Sequence, residues 1–176
     1  MVRRPRSSAG ASMLLQKIVS GGQTGVDRGA LNAALASHFP CGGWCPADRK
    51  AEDGPIPDRY PVTPLTRGGY RARTLKNVQD SDGTVILAPG ELSGGTRLTV
   101  QLCQQHAKPH LVIDATAKSE EAAAEVVLCF LDTYRIVVLN VAGPRASGWA
   151  AGEDFARGVI ARVLSLAAGV REEEAG

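Results

Sequence analysis

Lys17-Ile18-Val19-Ser20-Gly21-Gly22-Gln23-Thr24-Gly25-Val26-Asp27 decides the fold class: a short β-branched run ends in a glycine-rich turn, and a segment of helical periodicity follows. The same grammar recurs twice. Thr84-Val85-Ile86-Leu87 leads to Ser93-Gly94-Gly95-Thr96, and Ile136-Val137-Val138-Leu139 leads to Ala142-Gly143-Pro144-Arg145-Ala146-Ser147. Apolar runs this short, without polar alternation, read as buried parallel strands. In an open parallel sheet the carboxyl ends of the strands share one edge, so the three turns are expected to face one crevice, where ligands of such sheets bind. Glycine admits close backbone approach, and the free N–H groups of a helix start attract anions. A phosphate-bearing small molecule is the first ligand class this implies.

Outward from these turns, strand and helix alternate. A strand at Gln16–Ser20 precedes a helix at Val26–Ser37 with Val26, Ala30, Ala33, Ala34 and Leu35 on one face, and a second short strand is expected near Pro40–Trp44. Between Cys45 and Gly69, Pro46, Pro55, Pro57, Pro61 and Pro64 exclude a regular helix. A connection this long, leaving the glycine edge, reads as a functional loop or lid whose charges overhang the crevice. A polar helix at Tyr70–Gln79 leads to a strand at Thr84–Ala88, a helix at Gly95–His106 and a strand at His110–Asp114. A helix at Ser119–Tyr134 turns Ala123, Val127, Phe130, Leu131 and Tyr134 inward; a strand at Arg135–Val141 and a last helix at 150–168, with Phe155, Val159, Val163 and Leu166 inward, complete the pattern. The alternation predicts an α/β three-layer sandwich on a mostly parallel sheet of about five strands. One ligand-binding domain is expected over residues 13–168, between a flexible basic tail at 1–12 and a polar tail at 169–176.

A chain of 176 residues with 44% hydrophobic and 5% aromatic content suits one domain with an aliphatic core. Removing the three charges of Arg3, Arg4 and Arg6 from the net +2 leaves −1 for the rest. That near-neutrality argues against a nucleic-acid partner. No apolar run approaches the roughly 20 residues of a spanning helix, and no signal-peptide core is present, so a cytoplasmic protein without membrane contact is expected. Cys41, Cys45, Cys103 and Cys129 are scattered, and disulfides are not expected. Cys41 and Cys45, with His38 nearby, lack the second pair of a structural zinc site, so no metal is expected.

The first turn is neither a P-loop nor the dinucleotide spacing Gly-x-Gly-x-x-Gly. Gln23 and Thr24 add side-chain donors, and Asp27 and Arg28 add one charge of each sign in the first helical turn, where an acid also suits the helix dipole. Ser93-Gly94-Gly95-Thr96 is the better anion cradle, with hydroxyls flanking two glycines and Arg97 next. Arg145 and Ser147 can clamp an oxyanion. The candidate binding set is therefore Gly21, Gly22, Gln23, Thr24, Gly25, Asp27, Arg28, Ser93, Gly94, Gly95, Thr96, Gly143, Pro144, Arg145 and Ser147. For any one turn, a purely structural strand-to-helix connection stays open as the alternative. His106 and His110, at the opposite edge, read as structural.

Lys17 through Leu31, Cys41-Gly42-Gly43-Trp44-Cys45-Pro46, Ala51-Glu52-Asp53-Gly54-Pro55-Ile56-Pro57, Arg73-Thr74 with Asn77-Val78, Asp80-Ser81-Asp82-Gly83-Thr84, Leu92-Ser93-Gly94-Gly95-Thr96 and Leu139-Asn140-Val141-Ala142-Gly143-Pro144-Arg145 together resemble the molybdenum-cofactor carrier family. The resemblance covers about Lys17 to Leu164 and implies a Rossmann-like fold akin to lysine-decarboxylase-like and DNA-processing proteins. It also implies binding, storage or carriage of a phosphorylated ligand of the molybdopterin type by a homo-oligomer, a dimer or tetramer. Molybdoenzymes or cofactor-biosynthesis proteins would then be partners, and no catalytic residue is required. The alternative is a nucleotide sensor or nucleotide-processing enzyme with Asp27, Glu52 or Asp53 as acid or base; a third reading is a structural oligomer with a vestigial crevice. Related phosphoribohydrolases carry Pro-Gly-Gly-x-Gly-Thr followed by x-x-Glu, whereas this chain has Ser93 for the Pro and Thr99 for the Glu. Thr99 cannot replace a general acid or base, which leaves Glu52, Asp53 and Glu91 as substitutes.

Overall fold

In the computed structural model, which describes the backbone of residues 14–174 and the side chains of 14–168, five parallel strands form the central sheet. In chain order the elements are β1 (Lys17–Val19), α1 (Val26–Ala36), β2 (Cys41–Gly42), β3 (Trp44–Cys45), β4 (Lys50–Ala51), β5 (Gly54–Pro55), β6 (Thr63–Pro64), α2 (Tyr70–Gln79), β7 (Gly83–Ala88), α3 (Gly94–Gln105), β8 (His110–Asp114), α4 (Glu120–Tyr134), β9 (Val138–Ala142) and α5 (Gly152–Glu174). The sheet order is β2-β1-β9-β7-β8. Numbered from β9 instead of β1, the same sheet reads 3-2-1-4-5, the order of the dinucleotide-binding fold. The chain thus enters that fold one strand late and supplies its central strand last.

Two apolar layers sandwich the sheet. Val85, Leu87, Leu139 and Val141 meet Val26, Ala30 and Ala33 of α1, Ala123, Val127 and Leu131 of α4, and Val159, Ile160 and Val163 of α5. On the opposite face a smaller cluster joins Val78 of α2 to Leu102 and Cys103 of α3. All six residues of β7 are buried, which explains its unbroken apolar run. Each fully buried aliphatic side chain stabilises the fold by about 1.5–3 kcal/mol, so the aliphatic core suffices without many rings.

Local chemistry sets the helix ends. The Ser119 hydroxyl accepts the Ala122 N–H at 3.2 Å, Glu120 and Glu121 complement the α4 dipole, and Arg135 closes α4 in the left-handed conformation. α1 starts after Gly25, whose φ is 79° and where a Cβ would collide with the Pro144 carbonyl. The helix α5 reaches Glu174, beyond the boundary at residue 168 read from sequence, because Arg171 and Glu172–Glu174 form helix readily. Residues 1–12, read as a basic tail, lie outside the described residues.

Three inward assignments are corrected. Leu35, Tyr134 and Leu166 are exposed, Leu166 at 50%, because the α5 stripe runs through Val159, Ile160, Val163, Leu164 and Ala167. Tyr134 instead rests its ring 5.1 Å from Phe130. The stretch 45–69, read as a functional loop or lid, is a connection with short strands and a small core of its own. β3 pairs with β6, β4 pairs antiparallel with β5, and Cys45, Ala51, Ile56, Tyr60 and Val62 bury a core of their own against Leu31 of α1.

Gly29 allows the closest helix contact, because a Cβ there would strike the Glu153 carbonyl and Ala156 of α5. Gly29→Ala should therefore lower stability by about 2 kcal/mol and Tm by roughly 4–8 °C, although alanine is the better helix former. A thermal melt showing an unchanged or higher Tm contradicts the close α1–α5 contact.

Candidate functional site

A cavity of about 390 Å³ opens between the carboxyl ends of β7 and β9. This is the switch point of the sheet, where one run of connections leaves β1 for β2 and the other leaves β7 for β8, and it is where ligands of open α/β sheets bind. Its volume is that of a small-molecule pocket. Of the predicted set, Gly21, Gln23, Asp27, Ser93, Gly94, Gly95, Thr96, Gly143, Pro144 and Arg145 line it; Gly22, Thr24, Gly25, Arg28 and Ser147 lie outside its wall.

The three turns differ in how their N–H groups are used. In the first, Gln23 N–H donates to Asp27 Oδ2 at 3.2 Å, Thr24 N–H to Gln23 Oε1 at 3.0 Å and Val26 N–H to the Pro144 carbonyl at 3.3 Å. In the third, Ala146 N–H donates to Thr24 Oγ1 and Ser147 N–H to Glu52 Oε1, both at 3.1 Å. In the second, Thr96 and Arg97 donate back to the Ser93 carbonyl, while the N–H groups of Gly94 and Gly95, like those of Gly21, Gly22 and Gly25 in the first turn and of Gly143 and Arg145 in the third, meet no acceptor among the described residues. No acid lies in the first turn of α3 and no side chain caps it. A Cβ on Gly94 or Gly95 would meet nothing within 4 Å, so both face open space.

A buried ion pair stands beside this turn. Arg73 Nη1 lies 2.8 Å from Asp27 Oδ2, and Gly21 makes room for it, since a Cβ there would overlap the guanidinium. Burial pushes the Asp27 carboxyl above the ordinary carboxylate range, opposed by the Arg73 charge and the Gln23 N–H. Arg73 Nε is buried and has no hydrogen-bond partner. Asn77 fixes α2 in place, accepting Trp44 N–H at 2.8 Å and donating to the Trp44 carbonyl at 2.9 Å.

Nothing between residues 45 and 69 lines the cavity, so the overhanging lid is corrected. Glu52 and Asp53 form the tip of the β4–β5 hairpin, which is fastened sideways to the turns. Arg28 grips Asp53 with Nη1 at 2.6 Å and Nη2 at 2.8 Å, and its Nε donates to the Gly22 carbonyl. Glu52 accepts from Thr24 Oγ1, from Ser147 N–H and from Ser147 Oγ at 2.5 Å. Ile56 and Val62 pack where a Gly22 Cβ would stand. Hydrogen bonds from Ser147 and Thr24 hold the Glu52 carboxyl below its ordinary value, and those from Arg28 do the same for Asp53.

Sequence reading passed over Tyr70, Arg73, Thr74 and Asn77 as wall residues, and their signal was a polar stripe at i, i+3, i+4 and i+7 on a helix start. Glu91, Thr99 and Asn140 also line the cavity. The Thr99 hydroxyl donates to the Gly95 carbonyl at 2.9 Å. His106 ends α3 and His110 opens β8 at the far edge of the sheet. Among the described residues no group of three His, Cys, Asp or Glu side chains could hold a metal, and no helix is long and apolar enough to cross a membrane.

Residues 18–164 match the circularly permutated YpsA SLOG family. The chain belongs to this family. The permutation in the family's name agrees with the late entry of β9 into the sheet. A solved protein of Syntrophus aciditrophicus SB, named a "putative molybdenum carrier protein", is 42% identical, covers 86% of this chain and 96% of its own, and superposes with a TM-score of 0.83. No curated protein matches. The SLOG chain thus combines a Rossmann-like five-stranded sheet with three glycine-rich turns that each keep N–H groups without an acceptor among the described residues.

The Glu52–Asp53 tip generates a pH dependence. Because both carboxyls are held low in the fold, their stabilisation is full above their ordinary values and is lost as pH falls through the lowered ones, below roughly pH 4. The Tm gap between the parent and Glu52→Gln/Asp53→Asn should therefore be largest near neutrality and close in acid. Asp53 is half exposed, so its pair with Arg28 contributes only about 1 kcal/mol. A gap that widens as pH falls contradicts the assignment.

Proposed function

We propose that this protein binds and carries a phosphorylated small molecule, of the molybdopterin class, in the cavity between β7 and β9. The observation that supports it is the pair of unused N–H groups at Gly94 and Gly95, at the uncapped start of α3, opening onto that cavity. An anionic group answers both the donors and the dipole. Ser93 and Thr96 flank the anion, Arg73 offers its unpartnered Nε, and Gln23, Asn140 and Gly143–Arg145 bound the rest of the ligand. Gly22, Thr24, Gly25, Arg28 and Ser147 act on the ligand indirectly, by shaping the first and third turns. The name of the Syntrophus aciditrophicus relative supports molybdenum chemistry for the ligand. The reading extends to a cytoplasmic homo-oligomer, a dimer or tetramer, that serves molybdoenzymes or cofactor-biosynthesis proteins.

A nucleotide-processing reading draws on a different observation, the two carboxyls of Asp27 and Glu91 in the cavity wall. Glu52 and Asp53 lie outside that wall and are set aside as its acid or base. Release of free base from nucleoside monophosphates at about 1 per second or faster would favour this reading over carriage.

Protein from a host that makes molybdopterin should release a fluorescent oxidised pterin on acid and iodine treatment, and protein from a cofactor-deficient host should not. Equal signals from both, or none from either, would sink the molybdopterin assignment. Gly95→Asp places a carboxylate about 4 Å from the anion, a repulsion of roughly 4 kcal/mol, or about a thousandfold in affinity. Calorimetry with inorganic phosphate should show that loss while Gln104→Asp, on the exposed face of α3, binds as the parent does. Equal affinity of Gly95→Asp and parent would remove the anion site from α3.

A further inference from the structure

We propose that Tyr70 and Glu91 select a ligand that carries a 2-amino-4-oxopyrimidine ring, the ring shared by guanine and the pterins. This rests on the anion-binding reading given above and adds to it the ring system joined to the phosphoryl group. Tyr70 is the one aromatic side chain in the cavity wall, and it is 41% exposed. It opens α2 as Gly94 opens α3, and the two helices pack side by side through Leu75, Val78, Leu98 and Leu102. Both therefore start at the carboxyl edge of the sheet, where Tyr70 borders the same cavity as Gly94 and Gly95. The Arg73 guanidinium carbon lies 5.9 Å from the centroid of its ring, and Arg73 is itself fixed by Asp27. An exposed aromatic face held in this way beside an anion site is a stacking platform for a planar heterocycle.

Glu91 supplies the choice among heterocycles. Asp27, the other carboxyl of the wall, is committed to Arg73 and the Gln23 N–H, whereas Glu91 has no partner among the described residues. It stands in the short turn between β7 and α3, three residues before Gly94. That turn is anchored, since Gly90, with φ at 68°, donates its N–H to Asp114 Oδ1 of β8 at 2.9 Å. A carboxylate in a wall that also presents the N–H groups of Gly94, Gly95, Gly143 and Arg145 repels the anion those donors would hold. It answers a different part of the ligand, one that offers hydrogen-bond donors. The edge of a 2-amino-4-oxopyrimidine presents a ring N–H and an amino N–H side by side, and a carboxylate accepts the pair with its two oxygens. Adenine presents one amino N–H beside a ring-nitrogen lone pair, which a carboxylate repels, so the same group that attracts one ring rejects the other.

Calorimetry on the full chain with GMP, AMP and inorganic phosphate tests this. The parent should bind GMP at least about tenfold tighter than AMP, and Glu91→Gln should bring the two within about threefold while phosphate affinity holds or rises. Tyr70→Ala should weaken GMP and AMP alike by about tenfold or more, and Tyr70→Phe should restore both. Guanosine and 6-hydroxymethylpterin, which lack the phosphoryl group, separate the two sources of the ring: the one that the parent binds tighter, and that Glu91→Gln weakens, is the ring the site selects. A parent that binds AMP as tightly as GMP, or a Glu91→Gln that keeps the parent's preference, overturns the inference. The parent's ratio needs no variant, so the test survives a variant that fails to fold. Phosphate binding without a preference for GMP removes the ring site alone, whereas a preference for GMP without phosphate binding removes the anion site alone.

Discussion

Insertion of β9 between β1 and β7 is the constraint on which the glycine edge depends. It brings together groups 121 residues apart in sequence: the Ser20 hydroxyl donates to the Val141 carbonyl at 2.6 Å. The Pro144 carbonyl accepts Val26 N–H, and Thr24 Oγ1 accepts Ala146 N–H. A loop closure of that span costs only modestly more entropy than a short one, but each buried N–H it brings in must find an acceptor. The first and third turns meet part of that demand with each other and with the β4–β5 hairpin. The second, which follows β7 and precedes the peripheral strand β8, has no such neighbour. Its unused donors are a consequence of topology as much as of its glycines.

The Asp27–Arg73 pair follows the same logic from the side-chain end. Two charges withdrawn from water gain little net stability from their attraction, so the pair is poor evidence of a stabilising device. What it accomplishes is placement. Nη1 of Arg73 is committed to Asp27, the ring of Tyr70 lies 5.9 Å from the guanidinium carbon, and Nε is left buried without an acceptor. Gly21 is required by this arrangement because its missing Cβ is the space that the guanidinium fills. A glycine read as an approach for ligand is thus an approach for an arginine.

Legibility in the sequence followed the range of the interactions. Short β-branched runs, helix periods and the three turns depend on neighbours a few residues away, and they located all five sheet strands and the parallel three-layer fold. Leu35, Tyr134 and Leu166 were misplaced because a helical period allows several adjacent stripes, and only the packed partner chooses one. The prolines of 45–69 correctly excluded a helix, yet the pairing of Trp44 with Thr63 is a contact between distant residues that proline content does not encode. The candidate site was legible to the level of its turns. Which donors are taken up was not, because the acceptors for Ser147 and Ala146 are Glu52 and Thr24, 95 and 122 residues away. Arg73, read from sequence only as part of the family resemblance, was not placed at the site for the same reason, since its partner Asp27 is 46 residues upstream.

The distribution of carboxyls shows what the cavity is equipped to do. Glu52 and Asp53, the acids that a hydrolytic mechanism would have recruited from the hairpin, are engaged by Thr24, Ser147 and Arg28 outside the cavity wall. The Thr99 hydroxyl is turned back onto the Gly95 carbonyl of its own helix. Asp27 is in the wall but is tied to Arg73 and the Gln23 N–H. Of the two carboxyls that line the cavity only Glu91 makes no hydrogen bond or ion pair. A general acid–base pair needs two groups whose environments separate their proton affinities and whose atoms are free to reach the substrate. This wall offers one carboxyl without a partner among the described residues, Glu91, beside the N–H groups of Gly94 and Gly95.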